Sequence, residues 1–318
     1  GTVDSMRCAI SFTGSDTGSL GVSRDRIVVE GNRFKGTVLF PSVGDGAFGS
    51  VVIRDNVIGN DTLNANGAGL IASGSPLTIE GNTISGFGAH GIYLTGLDDD
   101  DGTDTVAIRG NTIREVQLDG TAGTNDDVVA MYIPGSNPCG ADGVVPGGIK
   151  LANNTIIGNG DANTTDRMVQ FKECAGASSL NDYVDAADSG DAGSYGMQGF
   201  ADMRGTTLKN TSSYPIVSSY DGAVYIGNRF EHNGERVSLT GSDVVFNSNL
   251  IVDVTTRSAD LSGQRPTCIG NSVRSTTGPW DFPIFCGTDG SGAGCGEDTA
   301  AEGACDLNTV CNSGDTDC

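Results

Sequence analysis

The sequence predicts an all-β fold, a right-handed single-stranded parallel β-helix with a disulfide-rich C-terminal tail. Three observations predict it. A six-residue phrase centred on Asn recurs along the chain, its spacing settles near 22 residues, and a second phrase with strict in/out alternation falls between its copies. Such a signal belongs to a solenoid, in which every coil buries one layer of side chains and the long steps mark loops.

The first phrase runs apolar, any, Gly or small, Asn, any, apolar. It reads Val29-Glu30-Gly31-Asn32-Arg33-Phe34, then Ile53 to Ile58 around Asn56, Ile79 to Ile84 around Asn82 and Ile108 to Ile113 around Asn111. Later copies centre on Asn154, Thr206 (in the Asn place), Asn228, Asn249 and Asn271. From Asn32 the steps are 24, 26, 29, 43, 52, 22, 21 and 22 residues. The second phrase is Gly69-Leu70-Ile71-Ala72, Gly91-Ile92-Tyr93-Leu94 and Ala130-Met131-Tyr132-Ile133, and it returns around Ser238. Its period of two is that of a half-buried strand. Each coil therefore carries three short strands, one in the second phrase and one on each side of the Asn. At that bend the Asn is expected to take the left-handed region and to bond the equivalent Asn one coil away.

Composition agrees. Gly numbers 49 in 318 residues, and Asp and Asn are enriched. These are poor helix formers but good turn formers. The formal net charge of −22 makes contact with nucleic acid or anionic lipid unfavourable. No apolar run is long enough to span a membrane as a helix, and the first residues read as those of a mature or trimmed secreted product.

These phrases resemble the right-handed parallel β-helix repeat family, the pectin lyase-like superfamily, over about residues 26–275. The resemblance implies the fold and leaves activity open, since the superfamily includes lyases, hydrolases, epimerases, adhesins and structural fibres. It also implies that the Gly-Ile-x-Leu strands form the first sheet, the face many members use to hold polysaccharide.

Residues 1–25 read as an N-terminal cap, 26–275 as the β-helix with insertions near 134–148 and 174–202, and 276–318 as a C-terminal cap and Cys-rich tail. Nine cysteines without paired zinc-knuckle spacing indicate disulfides in an oxidising compartment. Cys139 and Cys174 follow the same phrase on successive copies and are expected to pair, as are Cys268 and Cys286. Cys295, Cys305, Cys311 and Cys318 are expected to pair among themselves, with three connectivities open. Cys8 is left over, as a buried thiol or an intermolecular link.

Aligning the second phrase gives an outward column Ile71, Tyr93, Tyr132, Gln170, Val217, Ser238, Asp260, with Lys172 two residues beyond Gln170. Tyr93, Tyr132, Gln170 and Lys172 form the candidate ligand site, because aromatic faces beside hydrogen-bonding groups suit a sugar ring. The plainer reading is a stacked pair covered by a loop. For an enzyme of the resembling superfamily, Lys172, Arg167 and His90 would be the catalytic candidates, with Lys150 nearby. No cluster of carboxylates accompanies them on the strand face. The run from Asp98 to Asp104, through Asp98, Asp100 and Asp104, reads either as a solvated turn or as a calcium loop, and no cofactor is required.

The expected function is therefore an extracellular, adhesive or filament-building protein that contacts glycans without catalysis, its partners being polysaccharide or further copies of itself. The alternative is a secreted polysaccharide lyase or glycoside hydrolase. An open groove lined by Tyr93, Tyr132, Gln170 and Lys172, with convergent basic and acidic groups, would favour the enzyme, and a face sealed under the insertions, with exposed sticky ends, would favour assembly.

Overall fold

The computed structural model describes residues 8–11, 26–43, 50–64, 67–74, 76–87, 90–95, 106–116, 129–133, 148–158, 167–171, 177–186, 195–253, 259–263, 266–274, 284–286, 305–306 and 309–311. Their regular structure is entirely β. Three parallel sheets of eleven strands each take every third strand in turn, so the chain winds through them coil by coil. The first sheet runs from Cys8–Ser11 to Ile284–Cys286, the second from Arg26–Glu30 to Cys305–Asp306, and the third from Arg33–Lys35 to Thr309–Cys311.

Alternation explains the core. In the second sheet Ile53, Ile79, Ile108 and Leu151 stack in register and are fully buried, while Thr78 and Ala107 on the other face are half exposed. In the third, Ile58, Ile84, Ile113 and Ile156 form a second inward column. Each such side chain withdrawn from water stabilises the coil by about 1.5–3 kcal/mol. Towards the C-terminus rings replace the isoleucines. Phe171 lies against Phe200 at 5.2 Å, and buried Tyr225 donates its hydroxyl to the Phe200 carbonyl at 2.7 Å. Burial pushes the Tyr225 phenol well above its ordinary range.

The asparagines form the expected ladder. Asn56 Nδ2 donates to Asn82 Oδ1, Asn82 to Asn111 and Asn111 to Asn154, each at 3.0 Å. Each backbone N–H donates to the same oxygen, and Nδ2 also donates to a carbonyl of the preceding coil, as from Asn82 to Ile53 at 2.9 Å. The backbone differs from expectation by one residue. The left-handed conformation falls on the residue before the Asn: Gly31, Asp55, Gly81, Gly110, Asn153, Asn181, Gly205, Gly227, Ser248 and Gly270 all have positive φ. The small or polar residue thus makes the bend and leaves the Asn free to aim its amide inward.

The range 174–202, expected to be an insertion, carries three strands, Ser178–Leu180, Tyr183–Asp185 and Tyr195–Gln198, one in each sheet. Asp182 stands in the Asn place of this coil, 28 residues after Asn154, so the long step conceals a coil.

Candidate functional site

The strands of the first sheet bring the second-phrase residues into line. Register pairs Tyr93 with Tyr132, Tyr132 with Gln170, Gln170 with Gln198, Gln198 with Val217, and Ser238 with Asp260. The sequence column was therefore right in order but lacked Gln198. Neighbouring strands in such a sheet lie about 4.8 Å apart, so this face is a long strip with one outward side chain per step.

Two ring clusters stand on the strip. In the first, His90 stacks on Tyr93 at 5.1 Å and on Tyr132 at 4.9 Å, and the tyrosine rings are 5.6 Å apart. In the second, Tyr195 stacks on Tyr214 at 5.8 Å, and the Arg236 guanidinium lies 5.5 Å from the Tyr214 ring centre. Arg236 Nε donates to Asp260 Oδ2 at 3.1 Å. The glycine that opens the phrase has a local cause. A Cβ on Gly196 would lie 2.3 Å from the Pro215 carbonyl oxygen of the next coil, so only Gly lets the strand start so close to its neighbour.

Exposure divides the strip. Tyr132 is 8% exposed and Gln170 is 0%, so this part of the face is sealed. His90, Tyr93, Tyr195, Gln198, Tyr214, Arg236, Ser238 and Asp260 are half-buried. Neither amide atom of Gln170 has a hydrogen-bond partner, and Asp260 Oδ1 likewise has none. Buried polar atoms in that state are costly, which marks both positions as places where a further polar group would be stabilised.

Of the other candidates, Lys150 stands exposed on the second sheet rather than on this face. Arg167 occupies a strand registered between Val129 and Tyr195, but its side chain lies outside the described residues. Lys172, Asp98, Asp100, Asp104, Cys139, Cys174, Cys295 and Cys318 also lie outside them, as do the side chains of Cys8, Cys286, Cys305 and Cys311. Among the described residues no group of three or more His, Cys, Asp or Glu side chains could hold a metal ion.

Sequence reasoning missed Tyr195, Gln198, Tyr214 and Arg236. A signal for the first two existed, since Gly196-Met197 repeats Gly91-Ile92 of the second phrase. Arg236 opens the copy of the second phrase around Ser238, which was a signal for it, whereas Tyr214 gave none, because it precedes its strand and carries no phrase of its own.

The winding, the three in-register sheets and the internal amide ladder define a parallel β-solenoid with an outward aromatic strip. The family described as right handed beta helix region matches residues 2–175, a little over half of the chain, and the chain belongs to that family. No curated protein and no solved structure shows a match.

Proposed function

We propose that the chain is an extracellular surface protein, adhesive or filament-building, that holds glycan along the outer face of its first sheet without acting on it chemically. The observation that carries this reading is the pair of half-buried aromatic clusters, His90 with Tyr93 and Tyr195 with Tyr214, aligned along one rigid strip. Aromatic faces pack against the C–H faces of sugar rings, and a linear polymer would meet the two clusters in succession. The contact surface is then Tyr93, Tyr195, Gln198, Tyr214 and Ser238, with buried Tyr132 and Gln170 beneath or behind it rather than in it. The acidic surface and the cysteine content suit life outside the cell, and further copies of the chain remain its second partner class.

Binding to a panel of soluble and insoluble polysaccharides tests the reading, with wild type compared with Tyr93→Ala and with the double variant Tyr195→Ala, Tyr214→Ala. Retention of wild type, weakened about tenfold or more in either variant while thermal unfolding is preserved, is the expected result. Binding that ignores all three tyrosines would remove the strip from the contact. Release of new reducing ends or unsaturated sugars would replace the reading with the lyase or hydrolase.

A further inference from the structure

The two ends of the solenoid pose a physical problem, because a terminal coil leaves three sheet edges open for pairing with other chains. At the C-terminal end the last described strands are short. Strand Cys305–Asp306 pairs with Thr267–Ile269, and Thr309–Cys311 pairs with Ser272–Arg274. Between Arg274 and Cys305 the apolar residues are gathered at Trp280, Phe282, Ile284 and Phe285, and after Cys286 the sequence is rich in Gly and offers little to a core. Yet Asp306-Leu307-Asn308-Thr309-Val310 repeats the Asn-Thr-apolar order of the earlier coils. A last repeat with so lean a core needs a further tie to hold it.

The register supplies one. Cys268 and Cys305 are direct partners on neighbouring parallel strands of the second sheet. Registered residues in a parallel pair share one face of the sheet, at a Cα spacing of about 4.8 Å. A disulfide needs about 4.4–6.8 Å. Cys268 is 1% exposed and points into the core, where Asn271 Nδ2 donates to its sulfur at 3.5 Å and fixes its direction. Cys286 is placed differently: it belongs to the first sheet and registers opposite Leu261. Among the described strand pairs none brings it beside Cys268.

We propose that Cys268 and Cys305 form a disulfide that staples the terminal coil over the C-terminal edges of the second and third sheets. The chemistry is thiol–disulfide exchange with a small-molecule or protein disulfide. One cysteine thiolate attacks the oxidant and releases one thiolate. The other cysteine then displaces the second, so the two thiols lose two protons and two electrons while the oxidant becomes two thiols. Pairing changes the cysteine arithmetic as well. Cys286 is released from its expected bond to Cys268, leaving Cys286, Cys295, Cys311 and Cys318 as the set that remains to pair at this end.

The test uses the purified full chain, reduced and then reoxidised with a glutathione couple, so that it does not depend on the compartment the protein occupies. Remaining thiols are trapped with N-ethylmaleimide at acid pH, the chain is digested without reduction, and the peptides are weighed. The expected product is a single linked species containing Cys268 and Cys305. Alkylated Cys268, or Cys268 linked to Cys286 or to any other cysteine, overturns the assignment. Hydrogen exchange of residues 305–311 then reads the stapling role. Exchange is expected to speed up at least about tenfold in Cys268→Ala, and the difference from wild type should vanish under reducing conditions. Equal exchange in oxidised wild type and variant would show that the bond, where present, does not hold the coil.

Discussion

Between Asn56 and Asn154 the core carries an unbroken amide ladder, whereas one coil later, at Asp182 and Thr206, the ladder changes chemistry. In the first region every Asn accepts at Oδ1 from two N–H groups of the preceding coil and donates at Nδ2 both to a carbonyl of that coil and to the next rung, so each rung ties three coils together. Asp182 keeps only the accepting half. It takes the Asn154 backbone N–H at 2.8 Å and Nδ2 at 2.9 Å, but it has nothing to donate. Ser179 makes good the gap by donating to Asp182 Oδ2 at 2.6 Å and meeting the Thr206 hydroxyl at 2.7 Å. From Thr206 the ladder resumes through Asn228, Asn249 and Asn271. The difference separates two jobs that asparagine performs at once: completing a turn within a coil and transmitting register between coils.

Removing a rung from the unbroken region should have the largest effect. Asn111→Ala leaves the backbone N–H and Nδ2 of Asn82 without their shared acceptor, and the Ile79 carbonyl without a donor, all inside the core. Each buried orphan costs about 1–3 kcal/mol, so a loss of about 3 kcal/mol or more is expected. Denaturant unfolding would read it as a lower midpoint at an unchanged slope. A loss below about 1 kcal/mol would mean that the hydrophobic columns alone hold the register.

The opposite change at the break should act in the other direction and depend on pH. Burial pushes the Asp182 carboxyl above its ordinary range, against the pull of its hydrogen bonds from Ser179 and Asn154. A folded-state pKa above the unfolded one means that the folded state binds the proton more tightly. Asp182 then contributes its stability at acid pH and loses it as pH rises through the folded value. Asp182→Asn removes that penalty and restores a donor, which would face the Leu151 carbonyl, the counterpart of the Ile108 carbonyl that Asn154 uses. Ser179 can then accept from the new amide and donate to Thr206. The variant is expected to be more stable than wild type at neutral pH by about 1 kcal/mol, with the advantage shrinking as pH falls into the carboxylate range. Thermal midpoints of both proteins across that range measure it. An advantage that grows towards acid would reverse the sign of the argument.

The contrast also explains what the sequence made legible. The three-strand coil and the Asn ladder follow from local spacing, and Asn82, Asn111 and Asn228 could be placed without any coordinates. The coil at Ser178–Asp185 was hidden because the substitution that preserves the turn, Asp182 for Asn, removes the letter by which the repeat was recognised. The same limit touched the site. Tyr93, Tyr132 and Gln170 were correctly aligned by periodicity. That Tyr132 and Gln170 are sealed while Tyr195 and Tyr214 form a second cluster depends on what covers each step, and strand period carries no such information.

A surface column offers the smallest effect and the clearest contrast with the ladder inside. Along the end of the second sheet Glu30, Arg54, Glu80 and Arg109 register in alternating charge, with Arg54 on Glu30 at 2.8 Å and Arg109 on Glu80 at 3.1 Å. Both members of the Arg109–Glu80 pair are well exposed, at 54% and 41%, so water and salt screen them. Beyond Arg109 the column continues as Ala152 and then Leu180, without charge and without loss of register. Alternation of sign along an acidic chain still has a use, because a slip of one coil would set like charges against one another. Arg109→Ala is accordingly expected to change stability by no more than about 0.5 kcal/mol, with the change fading at high salt. Unfolding measured at low and high ionic strength decides it. A loss as large as that of Asn111→Ala would mean that the outer charges, rather than the inner amides, fix the stacking of the coils.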